Sequence, residues 1–142
     1  FSGDRVGKAR RIAAAIRGAG GFRWVGIYDV TPAEITVIAW SGPGPPEFPR
    51  FPAGQGLCGA AVASRSTVVI PDVSKDSRYL TTLGSTRSEI VVPVLGSDGV
   101  AVRGLIDVER ERLNAFGAED VRLLEGCAAA LRPLWEQRAD GG

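Results

Sequence analysis

The sequence predicts an α+β domain in which antiparallel strands are bracketed by helices at the two ends of the chain. Three observations carry this. Val- and Ile-rich runs at Glu89–Leu95 and Ala101–Glu109 meet across Ser97-Asp98-Gly99, the chemistry of a tight hairpin turn. Another pair of alternating runs, Phe22–Val30 and Ile35–Trp40, meets across Thr31-Pro32. Amphipathic stretches lie outside both pairs, at Asp4–Arg17 and from Ala118 onward.

In chain order, Val6, Ala9, Ile12, Ala13 and Ile16 recur at helical spacing with Lys and Arg opposite, giving a helix over residues 4–17. Gly18-Ala19-Gly20-Gly21 is expected to stop it. The first hairpin covers residues 22–40. Residues 41–53 are crowded with proline and read as a surface loop free of regular structure. Residues 54–87 hold a short helix packed by Ala60, Ala61 and Val62, a short strand at Val68–Ile70, and a long segment with a helical turn near Tyr79–Thr82. The central hairpin spans 89–109. Glu119 and Asp120 open a final helix over 118–137, whose stripe is Val121, Leu124, Cys127, Ala128, Leu131, Leu134 and Trp135. Pro133 should kink or end it, since an interior proline costs about 3 kcal/mol.

Alternation gives the central hairpin two unlike faces. Ile90, Val92 and Val94 share one side with Val102, Gly104, Ile106 and Val108, so even-numbered residues should pair with even-numbered ones. The other side collects Glu89, Val91, Arg103, Asp107 and Glu109, with Glu89 near Asp107. Acids this close repel, so either Arg103 or a loop arginine such as Arg78 or Arg87 pairs with them, or the site receives a cationic ligand.

Composition bounds the function. A chain of 142 residues is sized for one domain, 1–142. Seventeen basic against sixteen acidic residues, without a basic block, exclude the footprint of a nucleic-acid binder. No apolar run approaches the roughly 20 residues of a membrane span, and FSGDRVGKARR lacks a signal-peptide core, so no membrane partner and a cytoplasmic location are expected. Cys58 and Cys127 make no disulfide framework, and the absence of His removes most zinc and general-base chemistry. Neither a metal nor a cofactor is expected. Asp72 and Asp76 read as caps and loop stays, and Gly54 and Gly56 as a turn at a helix entry. Met is absent as well, which points to a piece trimmed from a longer product.

The order helix, two strands, proline-rich loop, GQGLCG, short strand, PDVSKDSRYL, SEIVVPV, GLIDVER and AFGAEDVRLLE resembles a GAF domain over nearly the whole chain. The resemblance implies an antiparallel sheet of five or six strands, with the terminal helices on one face and a ligand pocket under loops 41–53 and 71–87 on the other. GAF domains are mostly ligand-sensing or dimerising modules of signalling proteins. Neither the cyclic-nucleotide signature nor a cysteine placed for bilin attachment occurs.

A narrower similarity links FRWVGIYDV, GQGLCGAAVA, IPDV, SEIVVP and GLIDVE to the free methionine-R-sulfoxide reductases. It implies an aromatic wall from Trp24 and Tyr28, with Glu89, Asp107 and Glu109 holding the substrate ammonium. The same alignment by motif sets the attacking cysteine's place at Thr82 and another at Phe48, leaving Cys58 alone of three sulfurs. A threonine hydroxyl is far less acidic than a thiol and has no His to activate it. Cys58 reads as a small buried residue, with redox reactivity at a helix N-terminus as the alternative; Cys127 reads as core. The expected function is therefore a non-catalytic sensory module for an amine or free amino acid, held by Trp24, Tyr28, Thr82, Glu89, Asp107 and Glu109. The terminal helices would form a homodimer and lead to an output domain. The alternative is a thiol-dependent reductase relying on Cys58.

Overall fold

The computed structural model describes residues 2–136, so residue 137, the expected last residue of the final helix, lies outside the described residues. Three helices, α1 (Ser2–Gly20), α2 (Gly56–Ser64) and α3 (Ala118–Ala130), surround six strands. These are β1 (Trp24–Val30), β2 (Glu34–Ser41), β3 (Arg50–Pro52), β4 (Val68–Ile70), β5 (Ser88–Leu95) and β6 (Val102–Arg110). They form one antiparallel sheet in the order β3-β2-β1-β6-β5-β4.

The expected register holds at the centre. Ile90 pairs with Val108, Val92 with Ile106 and Val94 with Gly104, and β1 continues the pattern with Val25 opposite Val108 and Ile27 opposite Ile106. That face packs on Ala9, Ala13 and Ile16 of α1 and on Leu124 and Ala128 of α3. Both terminal helices thus cover one face. The opposite face builds a second core from Trp24, Tyr28, Val91 and Leu105 against Phe51, Leu57, Cys58 and Ala61.

Several boundaries differ from those expected, each for a local reason. Helix α1 runs through Gly18 to Gly20, because the Phe22 N–H donates to the Arg17 carbonyl at 3.1 Å in a Schellman-type closure beyond the glycines. The proline-rich loop contains β3, in which Phe51 pairs with Ile35; three residues ending on a proline suit an edge strand. In α2 the buried residues are Leu57, Cys58, Gly59 and Ala61, with Ala60 and Val62 only half-buried. The helical turn of the long segment falls at Val73–Lys75, where Asp72 accepts from the Ser74 N–H at 3.0 Å, and not at Tyr79–Thr82. Cys127 is half-buried against the helix-side core instead of fully inside it.

Helix α3 ends at Ala130, and a short turn starting at Pro133 carries Leu134 and Trp135 back onto the sheet. The Trp135 ring lies over Gly104, where a Cβ would collide with it, and its Nε1 donates to Asp29 Oδ1 at 2.8 Å. Arg5 stacks on the same ring at 5.4 Å. Gly104→Ala is therefore expected to destabilise the fold by about 2 kcal/mol through overpacking, lowering the thermal midpoint by roughly 6 °C. Calorimetry of the variant beside Val100→Ala, at an exposed turn residue, provides the check.

Candidate functional site

The three acids meet because of strand register. Glu89 on β5 sits directly opposite Glu109 on β6, and Asp107 is two residues along on the same face, opposite Val91. From the other side, β1 sets Gly26 opposite Asp107 and Trp24 opposite Glu109. Trp24, Gly26 and Tyr28 share one face, and a side chain at position 26 would collide with both rings. The aromatic rings, 6.5 Å apart, thus close over the strand beside Asp107.

All three acids are buried: Glu89 is 3%, Asp107 1% and Glu109 0% exposed. Glu109 Oε1 accepts from the Thr86 hydroxyl at 2.5 Å. Asp107 lies beside both glutamates, one oxygen of each of the three acids lying within 4.8 Å of the others. Glu89 Oε1, Asp107 Oδ1 and Glu109 Oε2 have no partner. Burial pushes the pKa of each acid well above the usual carboxylate range. The neighbouring acid adds to it: Glu109 for Glu89, Glu89 for Asp107, and Asp107 for Glu109.

The expected arginine partner is not there. No ion pair among the described residues involves the trio. Arg103 lies exposed near the start of β6, Arg87 is exposed, and Arg78 is engaged by Asp76 at 2.7 Å. The acids face a second buried layer in place of solvent, which is why no long surface cation reaches them.

A small, partly open cavity of about 10 Å³ adjoins the acids, lined by Tyr28, Phe48, Phe51, Gly56, Leu57, Cys58, Leu80, Thr81, Thr82, Glu89 and Asp107. Tyr28, Thr82, Glu89 and Asp107 of the expected site residues thus converge on one space. Trp24 and Glu109 do not line it, and the Trp24 Nε1 instead holds the proline-rich loop by donating to the Gly44 carbonyl at 2.9 Å. That loop is tied to the 71–87 segment by the Glu47 N–H and the Thr82 carbonyl at 3.0 Å. Thr86 and Phe51 escaped the sequence reading: a threonine in an irregular loop carries no periodicity, and Phe51 belongs to the unforeseen β3.

Cys58 is the third residue of α2, yet its thiol pKa is raised where the helix terminus alone would lower it. Burial is the main cause, and the charges of Asp107, Glu89 and Glu109 add to it. The thiolate, the nucleophilic form, is thereby disfavoured. Cys58 and Thr82 line the same space, with Phe48, 41% exposed, at its rim.

The sign of the pH effect follows from the raised carboxyl pKa values. An unfolded chain releases these protons near pH 4 while the folded chain retains them, so the stabilisation is complete below that range and is lost as pH rises through the folded values. Asp107→Asn, which removes one charge and keeps the shape, is expected to match the parent near pH 4.5. By pH 8 it should exceed the parent by at least about 1 kcal/mol. Thermal denaturation across that interval, without divalent ions or amines, measures it; parallel curves would contradict the charge argument.

Comparison with known proteins identifies the fold. The GAF domain family model covers residues 4–132. The chain is 36% identical over 107 residues to the free methionine-R-sulfoxide reductase of Saccharomyces cerevisiae, which covers 74% of this chain but only 58% of the yeast protein's length. Among solved structures, the free methionine-R-sulfoxide reductase of Neisseria meningitidis in complex with its substrate superposes with a TM-score of 0.85 at 33% identity, over 97% of this chain and 81% of that one. The type II free methionine-R-sulfoxide reductase of Thermoplasma acidophilum gives a TM-score of 0.87 at 28% identity, over 94% and 93%. With its sheet order, its helix layer and the family pattern spanning nearly all of its length, the chain belongs to the GAF domain family.

Proposed function

We propose that this GAF domain is a binding module for a small ammonium-bearing molecule, a free amino acid or its sulfoxide, and is not an enzyme. The observation that carries the reading is the buried acidic trio, unmatched by any cation among the described residues, beside a cavity walled by Tyr28. An ammonium group donates three hydrogen bonds, and three carboxyl oxygens here lack partners. Its charge would lift the mutual repulsion that burial imposes on the acids. The apolar end of such a ligand would lie against Tyr28 and Phe51, with Trp24 packed beside Tyr28. A space of about 10 Å³ holds a single water-sized particle, so an amino acid enters only as the segments bearing Phe48 and Leu80 move outward. The outward faces of α1 and α3 serve in this reading as the homodimer surface and the connection to an output domain.

Relatives that reduce free methionine sulfoxide support a second reading, because Cys58 lines the same cavity. Against it stand the hydroxyl at Thr82, where the reductase pattern calls for the attacking cysteine, and the burial, reinforced by the acidic surroundings, that disfavours the Cys58 thiolate.

Two measurements separate the readings. Calorimetric titration with free amino acids and methionine sulfoxide is expected to give saturable binding that weakens at least about tenfold, or 1.4 kcal/mol, in Asp107→Asn. Flat titrations across the set would remove the amine assignment. Thiol-dependent loss of free methionine sulfoxide should stay at background in the parent and in Cys58→Ser; turnover that this substitution abolishes would establish the reductase instead.

A further inference from the structure

The trio has a geometry that an organic amine does not exhaust. Each acid presents a carboxylate oxygen, and the three atoms lie within 4.8 Å of one another. Glu89 Oε1, Asp107 Oδ1 and Glu109 Oε2 are unpartnered on side chains at least nine-tenths buried. The adjoining space is the size of one small particle, too small for an amino acid as it stands.

We infer that Glu89, Asp107 and Glu109 form a site for a hard divalent cation of the calcium or manganese type, filled while the loops are closed and exclusive of an amine. Donor chemistry selects the class. The cluster offers oxygen alone, Cys58 is outside it and the chain contains no His, so ions that prefer sulfur or imidazole gain nothing here. Size agrees with the choice. Oxygens within 4.8 Å of one another can share one Ca²⁺ at about 2.3–2.6 Å, and a sub-ångström inward shift of one carboxylate suits the somewhat smaller Mn²⁺. Charge points the same way, since a dication at the centre of three carboxylates offsets more repulsion than a single ammonium does. The Thr86 hydroxyl, bonded to Glu109 Oε1, orients that ligand from outside as supporting groups at metal sites do. The inference uses only the geometry of the trio and stands apart from the amine reading.

The test uses the whole chain, stripped with EDTA and dialysed near pH 7.5, with Mn²⁺ as the probe and no amine present. Electron paramagnetic resonance of free Mn²⁺ should show one ion bound per chain with a dissociation constant below about 1 mM, displaced by Ca²⁺. About 1 mM of either ion should raise the thermal midpoint by several degrees. Asp107→Asn and Glu89→Gln should each weaken binding at least about tenfold, while Cys127→Ser, at a position half-buried against the helix-side core, leaves it unchanged. Both acid substitutions relieve repulsion, and circular dichroism verifies that they remain folded. No saturable Mn²⁺ binding up to about 5 mM, or binding indifferent to both acid substitutions, overturns the inference. Amine titration of the same stripped protein keeps the two readings apart: amine binding without Mn²⁺ binding removes the metal site and spares the amine assignment, and Mn²⁺ binding without amine binding does the reverse.

Discussion

The register of β5 against β6 decides which chemistry each face of the sheet carries. With Ile90 opposite Val108 and Val92 opposite Ile106, the apolar residues of both strands meet α1 and α3, and the acids meet the loop layer. A shift of one residue would drive Asp107 and Glu109 into a layer of Ala, Leu and Ile with no polar partner. Such burial costs several kilocalories per mole for each group. Strand β1 holds the arrangement from the other side, since its own alternation sends Val25 and Ile27 to the helices and Trp24 and Tyr28 to the acids. Hence one pairing choice settles both the core and the site.

The two faces differ in how completely they are satisfied. The helix side is closed by shape: small alanines on α1 and α3 let the helices approach, and Trp135 fills the gap over Gly104. The acid side meets its demands only in part. The Thr86 hydroxyl serves Glu109, while Glu89 Oε1 and Asp107 Oδ1 have no hydrogen-bond partner. A fold that is consistent at nearly every level yet keeps one such conflict concentrates it at a functional or strained site.

Much of this was legible beforehand, and the rest has identifiable causes. Strict alternation in SEIVVPVL and VRGLIDVER exposed both faces, and the stripe through Leu124, Ala128 and Leu131 exposed the final helix, because period two and period 3.6 survive averaging over a segment. Strand β3 had no such signal; Phe51 is extended because the edge of β2 offers Ile35 as a partner, a tertiary fact. The last turn of α1 was hidden by its glycines, since the Arg110 guanidinium that bonds the Gly20 carbonyl at 2.6 Å is 90 residues away in sequence. The missing cation was unreadable for a related reason. Arg103 has the right parity to face Asp107, but sequence does not reveal that burial fades before the strand reaches it.

The wedge formed by Trp135 bears on where this domain can be cut. The family pattern ends at residue 132, before Pro133 begins the turn that delivers Leu134 and Trp135, which are 5% and 3% exposed. A fragment trimmed at that border would keep every strand and every named helix while uncovering the sheet above Gly104 and freeing Asp29 from its indole partner. The family border therefore marks where sequence similarity fades, and the physical edge of the folded unit lies at least one aromatic side chain beyond it.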